Sequence, residues 1–224
     1  FPEHLAQAKC YAYIYTKQHE LDEIGVRMTY CNIDTEEIKY FHENYKFSTL
    51  QKWFEDLLEQ YRKWADFECE WKKKRQKSIE EIAFPFTYRE GQKQLVGYVY
   101  QTINENKKLF MEAPTGVGKT ISTMYPALKA MGEGKADKLF YLTAKTVTGT
   151  VARDTLDLLR KQGLSFKSVV ITAKEKICPL DECRCNPENC PYAKGHYDRI
   201  NDAVYDLLIH EDAFERDTIL KYAL

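Results

Sequence analysis

The chain has 224 residues, and its 33 lysines and arginines against 34 aspartates and glutamates give a formal net charge of −1. This balance excludes a polybasic nucleic-acid binder, and 44% hydrophobic with 13% aromatic residues is typical of a globular protein. At roughly 150 residues per domain, the length predicts one or two domains. No apolar run approaches the ~20 residues of a membrane span, and no signal-like segment opens the chain, so we expect a soluble, cytoplasmic protein with no membrane partner.

The first 47 residues are predicted to form a helix followed by a hairpin. Residues 4–19 place apolar side chains at steps of three and four, which is the period of a helix. From Gly25 the period changes to two, which predicts a strand, and residues 34–37 form a turn before a second strand at 38–41. The chain opens without Met and closes in a helical pattern at Leu224, so we expect a piece of a larger protein.

Residues 48–79 are predicted to form one long helix that acts as a linker. Ser48 and Gln51 have the spacing of a capping box, and apolar side chains recur at steps of three and four from Leu50 to Trp71. The stripe ends at a basic stretch, residues 72–75. This stretch is either a phosphate contact or the solvated end of a helix.

After residue 80 the pattern is that of an α/β fold. Short runs rich in aromatic or branched residues occupy 107–112, 138–143 and 168–172, and helical stretches separate them at 120–131 and 146–162. Strands that alternate with helices imply right-handed crossovers and a parallel sheet.

A phosphate-binding loop follows the first of these runs. Residues 113–120 read Ala-Pro-Thr-Gly-Val-Gly-Lys-Thr, the P-loop pattern with Ala113 in place of its first glycine. Backbone N–H groups and the start of the next helix present partial positive charge to phosphate. Lys119 can reach the β- and γ-phosphate oxygens and Thr120 can place its hydroxyl on Mg²⁺, so both are candidate catalytic residues. The candidate nucleotide-binding residues of the loop are Pro114, Thr115, Gly116, Val117, Gly118, Lys119 and Thr120.

Arg89 and Gln92 lie about 25 residues upstream of the loop, after an aromatic-Pro-aromatic sequence. A glutamine amide can hydrogen-bond both the donor and the acceptor edge of adenine, and a nearby aromatic ring can stack on the base. Both residues are therefore candidate nucleotide contacts. The alternative for Gln92 is an ordinary exposed glutamine on a helix.

Thr143, Lys145 and Thr146 lie at the end of the second run and in the loop after it. Ligands gather at the carboxyl ends of parallel strands, and hydroxyls with one lysine suit contacts to the phosphates of single-stranded DNA. The alternative is a polar strand-end loop with a helix cap.

Four cysteines fall within the 13 residues from Cys178 to Cys190, separated by gaps of four, one and four residues. The Pro and Asn residues between them favour turns, so the sulfurs can converge as metal or cluster ligands do. The spacing lacks paired C-x-x-C knuckles, which disfavours a zinc ribbon without excluding zinc. The candidate ligands are Cys178, Cys185, Cys190 and, with the weakest claim, Cys183.

Together, the loop at 113–120, the upstream Arg-x-x-Gln and the cysteines after the 141–146 segment resemble the iron-sulfur superfamily 2 DNA helicases of the XPD and DinG group. That resemblance implies a RecA-like fold and ATP hydrolysis with Mg²⁺. It also implies movement along single-stranded or forked DNA, and a structural 4Fe–4S cluster whose fourth ligand lies after an intervening segment. The group's Asp-Glu-Ala-His strand is missing. Residues 207–212 reverse the acid pair and follow a helical period, so we reject them as that strand.

Gln7 and Tyr11, four residues apart on a predicted helix before a hairpin, resemble the last motif of RecB-like nucleases. An amphipathic helix with incidental Gln and Tyr is the alternative. If the resemblance holds, the parent protein is a nuclease-helicase fusion of the DNA-repair type.

The sequence therefore predicts a partial P-loop, RecA-like parallel sheet with a cysteine-rich insertion and an N-terminal α+β segment. The predicted domains are a nuclease-like end (1–47), a helical linker (48–79), a motor-domain part (80–174) and an iron-sulfur insertion (175–224). The predicted function is the ATP-binding part of a DNA helicase, and we expect this chain alone to be inactive. The alternative is a nucleotide-binding, zinc-binding interaction module without translocation.

Overall fold

The computed structural model describes residues 2–114, 116–144 and 146–223, with the side chains of 146–148 outside the description. The protein is mixed α/β and 55% helical, with two small sheets. Residues 1–68 form one compact unit and residues 69–224 form a second. The predicted domain boundaries at 47, 79 and 174 stay predictions. Within the described residues, no helix combines the length and the apolar composition needed to cross a bilayer.

The first unit contains α1 (Pro2–Gln18), β1 (Glu23–Cys31), β2 (Ile38–Lys46) and the first part of α2 (Phe47–Glu81). The two strands pair antiparallel, with Met28 opposite Phe41, which confirms the predicted hairpin. Burial alternates along β1 as a strand with one covered face requires. The core of this unit is built from the residues Ala12, Tyr13, Tyr45 and Leu50.

Helix α2 confirms the long helix predicted at residues 48–79, while its role as a linker stays a prediction. It begins at Phe47, one residue before the predicted Ser48, because β2 runs directly into it. At ~1.5 Å per residue its 35 residues span roughly 50 Å. The basic stretch at 72–75 lies within its last third, where Lys74 stands over the ring of Trp71.

The second unit contains α3 to α8 and a short parallel pair. The helices are α3 (Gln92–Asn104), α4 (Lys119–Gly132), α5 (Thr146–Lys161), α6 (Lys174–Ile177), α7 (His196–His210) and α8 (Arg216–Ala223). Strand β3 (Ser168–Val169) pairs parallel with β4 (Ala213–Phe214). Apolar side chains of α4, α5 and the end of α2 form the core, among them Ile79, Leu128, Met131, Leu156 and Leu159.

The strands predicted at 107–112 and 138–143 are wrong, because both segments are irregular in the structure. Most of their apolar side chains are exposed: Phe110 is 93% and Leu142 is 89% accessible, while Leu139 is partly buried against the core. A run of aromatic and branched residues indicates that a segment fits a sheet, but a strand forms only where another strand supplies hydrogen-bond partners. Of the run at 168–172, the part that finds such a partner is Ser168–Val169.

Arg160 on α5 holds the β3–β4 pair in place. Its guanidinium donates to the carbonyl oxygens of Phe166 at 2.8 Å and Asp212 at 2.9 Å, and to the hydroxyl of Ser168 at 2.7 Å. The segment 207–212 is helical as far as His210, which confirms that its acid pair does not lie on a strand; β4 follows it.

Candidate nucleotide site and cysteine loop

Two glycines of the loop before α4 have positive φ values. Gly116 and Gly118 have φ values of +86° and +78°, a left-handed region that side chains with a Cβ rarely adopt. Gly118 is the residue that precedes α4, and the helix begins at Lys119. The N-terminal N–H groups of α4 therefore open towards the loop, where an anion is favoured by the helix dipole.

Lys119 lies inside this loop. Its ammonium group donates hydrogen bonds of 2.8 Å to the carbonyl oxygens of both Ala113 and Pro114. Next to it, the Thr120 hydroxyl is 3.4 Å from the hydroxyl of Tyr141. The two predicted catalytic residues thus stand side by side at the helix start, while Thr115 lies outside the described residues.

Arg89 and Gln92 contact the same loop from the start of α3. The Gln92 amide donates to the carbonyl of Val117 at 3.0 Å, and its oxygen accepts the backbone N–H of Arg89 at 3.0 Å. The Arg89 guanidinium donates to the carbonyl of Gly116. Gln92 is only 5% exposed, which excludes the alternative of an ordinary exposed glutamine. Its contact with the loop backbone was not predicted from the sequence.

A cleft of about 500 Å³ opens beside the loop. The loop side is formed by Gly116, Gly118, Lys119 and Thr120, Phe86 borders it, and α5 contributes Val151, Asp154 and Thr155. The aromatic-Pro-aromatic sequence was the available signal for Phe86. Nothing in the sequence indicated the α5 residues, because helical periodicity shows which face is apolar but not which neighbour it meets.

The predicted DNA-contact segment is described only in part. Thr143 is exposed, and its methyl carbon would lie 3.8 Å from a Cβ added at Gly149 on α5. Lys145 and the side chain of Thr146 lie outside the described residues. The prediction for these three residues stays a prediction.

Cys183 and Cys185 contact each other in the loop between α6 and α7. Their sulfurs lie 3.5 Å apart. The bond to Cys185, burial and the bond to Cys178 raise the pKa of Cys183 to about 11. Hydrogen bonds from Lys174 and then from Cys183 lower the pKa of Cys185, because they stabilise its thiolate.

Cys190 is anchored in the turn that follows. It is 6% exposed, its N–H donates to the carbonyl of Asn186 at 3.0 Å, and its own carbonyl accepts the N–H of Ala193 at 3.1 Å. Of the four predicted ligands, Cys183 and Cys185 thus contact each other and Cys190 is a buried thiol.

Four thiols lie within this short segment, and thiolates are the ligands that thiophilic metals prefer. Among the described side chains, the sulfurs of Cys183 and Cys185 approach each other to 3.5 Å. Over the residues described, no group of three or more His, Cys, Asp or Glu side chains stands ready-made in a metal-binding arrangement.

In the first unit, Gln7 and Tyr11 lie on one face of α1, and the Gln7 amide donates to the Tyr11 hydroxyl at 3.3 Å. Beside them, His4 lies 3.1 Å from the hydroxyl of Tyr30 on β1. The Gln-x-x-x-Tyr pattern therefore forms a real side-chain pair.

Comparison of the chain with protein-family models, with curated protein sequences and with solved structures finds no significant match in any of the three.

Proposed function

We propose that this chain is the ATP-binding part of an ATP-dependent DNA helicase of the iron-sulfur XPD/DinG type. The observation that carries the proposal is the loop of residues 113–120, whose two glycines have positive φ immediately before a helix that begins at Lys119. Positive-φ glycines immediately before a helix start support phosphate binding, because backbone N–H groups and the helix N-terminus favour an anion there. The direct contacts of Arg89 and Gln92 with the loop support an assignment that includes the upstream segment.

Within this proposal, the start of α4, Lys119, Thr120 and Phe86 each bind a different part of the Mg²⁺-bound nucleotide. The N–H groups at the start of α4 would cradle the β-phosphate, and Lys119 would exchange its bonds to Ala113 and Pro114 for phosphate oxygens. Thr120 would bind the Mg²⁺ that accompanies ATP. Phe86, at the edge of the cleft, supplies an aromatic face on which adenine can stack.

The cysteine loop would hold the family's cluster through Cys178, Cys183, Cys185 and Cys190. A bound 4Fe–4S cluster supplies a cross-link between segments of the chain. The chain's own contribution is a thiol-rich loop with Lys174 beside it.

The nucleotide assignment is tested with Lys119→Ala and a fluorescent ATP analogue in the presence of Mg²⁺. Loss of a charge-assisted contact of ~1.5 to 3 kcal/mol predicts a roughly tenfold to hundredfold weaker Kd. Lys135→Ala is the matched control, because Lys135 is an exposed lysine just beyond the same helix. Equal Kd values for the wild type and Lys119→Ala would overturn the assignment.

A second measurement separates a helicase from the alternative of a nucleotide- and zinc-binding interaction module. In the longer protein to which the proposal assigns this chain, single-stranded DNA should stimulate ATP hydrolysis, and Lys119→Ala should abolish the stimulated rate. Nucleotide binding that is indifferent to DNA would favour the interaction module.

A further inference from the structure

Tyr141 brings a phenolic hydroxyl to the start of α4. Its oxygen lies 3.4 Å from the hydroxyl oxygen of Thr120, the residue to which the proposed function gives the Mg²⁺ of ATP. The two residues are 21 positions apart in sequence, and both belong to the second compact unit. The contact is therefore made by the fold of that unit and not by local chain geometry.

The residues around Tyr141 show on which side of the segment its side chain is held. Leu139 is partly buried against the core of the second unit, whereas Phe140 is 72% and Leu142 is 89% exposed. This is the alternation typical of an extended backbone, in which every second side chain lies on the same side. Tyr141, at 36% exposure, thus shares the side of Leu139.

Thr143 lies on the same side of the segment. Its Cγ2 atom is 3.8 Å from the position that a Cβ at Gly149 would occupy, so this residue faces α5. Tyr141 is therefore placed between two contacts of its own segment, one to the core and one to α5. Its approach to Thr120 follows from the path of the segment and not from one side-chain rotamer alone.

The chemistry of a threonine hydroxyl relates this contact to a bound cation. The group has one hydrogen and two lone pairs, and an oxygen that coordinates Mg²⁺ uses a lone pair, which leaves the hydrogen to be donated elsewhere. The Tyr141 oxygen lies where it can accept that hydrogen from Thr120. Hydrogen-bonded partners of this kind fix the orientation of metal ligands.

The strength of the contact should depend on the cation. At 3.4 Å it is longer than the ~2.8 Å of a strong O–H···O bond. A hydroxyl whose oxygen binds a divalent cation is a stronger donor, because the positive charge withdraws electron density from it. The bond therefore gains strength when Thr120 binds Mg²⁺ and contributes little in its absence.

We infer that Tyr141 is a positioning residue for the Mg²⁺ of the bound nucleotide and that it acts through the hydroxyl of Thr120. This inference rests on the proposed function and extends its nucleotide site to the segment at 138–143. Tyr141 orients the ligand of the cation and does not itself bind the nucleotide.

The test removes the Tyr141 hydroxyl and keeps its ring. The Kd of the fluorescent ATP analogue is measured for the wild type and Tyr141→Phe, in EDTA and over a series of Mg²⁺ concentrations. Tyr141→Phe should need roughly tenfold more Mg²⁺ for half of the Mg²⁺-dependent gain in affinity, because a metal ligand loses its outer partner. Its Kd in EDTA should equal that of the wild type. Tyr98→Phe is the matched control, since Tyr98 is a half-exposed tyrosine whose hydroxyl bonds Gln94 within α3.

A double variant shows whether the effect passes through Thr120. Thr120→Ala should weaken the Mg²⁺ dependence by itself, and Tyr141→Phe added to it should cause no further loss. Additive losses, an unchanged Mg²⁺ dependence of Tyr141→Phe, or an equal loss of affinity in EDTA and in Mg²⁺ would overturn the inference alone. A wild type that binds the analogue equally well in EDTA and in Mg²⁺, or does not bind it, overturns the role that the proposed function gives to Thr120 and the inference with it.

Discussion

Gln92 joins two backbone groups that lie far apart in sequence, the N–H of Arg89 and the carbonyl of Val117. A buried amide with both ends in use fixes the distance between the start of α3 and the loop at residues 113–120, because leaving either partner unpaired is unfavourable. The same side chain leaves no room beside Gly118. A Cβ added at Gly118 would lie 2.7 Å from the Gln92 amide nitrogen.

Gly118→Ala should therefore disturb the loop more than a comparable glycine substitution elsewhere. Gly134→Ala is the matched control, since Gly134 has a φ of +75° and open space around its Cα, against +78° at Gly118. Both substitutions impose about 1 to 2 kcal/mol of left-handed strain. Gly118→Ala should add about 1 to 3 kcal/mol by displacing Gln92.

Urea unfolding and titration with the fluorescent ATP analogue check this prediction. We expect both variants to be destabilised and Gly118→Ala alone to lose nucleotide affinity. Equal stability and equal affinity of the two variants would show that the Gln92 contact does not shape the loop.

Some features of single residues could be predicted from the sequence and others could not. The glycines at 116 and 118 could be read directly from the sequence, and both adopt positive φ values, which glycine allows at little cost. The partner of Gln92 could not be predicted, because it depends on how two segments 25 residues apart fold together. Likewise, the sequence gave the spacing of the four cysteines but not the 3.5 Å approach of the Cys183 and Cys185 sulfurs, which depends on the turns between them.

Among the elements, α2 and α4 are joined at the point where α2 ends. The Lys129 ammonium on α4 donates to the carbonyl oxygens of Ile79 at 2.7 Å and Glu80 at 3.0 Å, which lie in the last turn of α2. A cation at the C-terminus of a helix offsets the negative end of its dipole and satisfies carbonyls that have no partner within the helix. Burial lowers the pKa of Lys129, while Glu133 and Glu80 act in the opposite direction.

Lys129→Ala should remove this cap. The loss of two hydrogen bonds from a charged donor predicts a destabilisation of about 1.5 to 3 kcal/mol. Lys135→Ala should stay within about 0.5 kcal/mol of the wild type because its side chain is exposed. The free energy of urea unfolding measures both, and a Lys129→Ala value matching that of Lys135→Ala would refute the cap.

At this scale the helices were easier to predict than the strands. The three- and four-residue period identified α1, α2, α4 and α5, because that period is set by contacts within the helix and its covered face. Two of the predicted strands are irregular in the structure. A strand requires a partner strand, and an apolar run does not indicate which segment would pair with it. Helix α3 was not predicted, although it carries Gln92 at its first position.

For the molecule as a whole, each of the two compact units has its own buried core. Leu50 is 1% exposed in the core of the first unit, and Leu159 is fully buried in that of the second. A cavity at such a position lowers the free energy of unfolding, and the packing that it removes is that of the surrounding residues.

Leu50→Ala and Leu159→Ala should each destabilise their own unit by about 2 to 5 kcal/mol. Hydrogen exchange in increasing urea should show lost protection in residues 2–68 for the first variant and around α4 and α5 for the second. Leu58→Ala, at a half-exposed leucine, is the control. Nucleotide affinity should fall for Leu159→Ala alone, and an equal loss of protection in both units for either variant would contradict independent cores.

The exposed apolar segments at 107–112 and 138–143 favour self-association of the protein. Phe110 at 93% exposure and Leu142 at 89% present apolar side chains to other molecules. Two copies can satisfy such segments against each other, so self-association should increase with protein concentration and with added sulfate. Binding and exchange experiments therefore belong at low micromolar concentrations, with light scattering recorded alongside, because aggregation would otherwise imitate a loss of function.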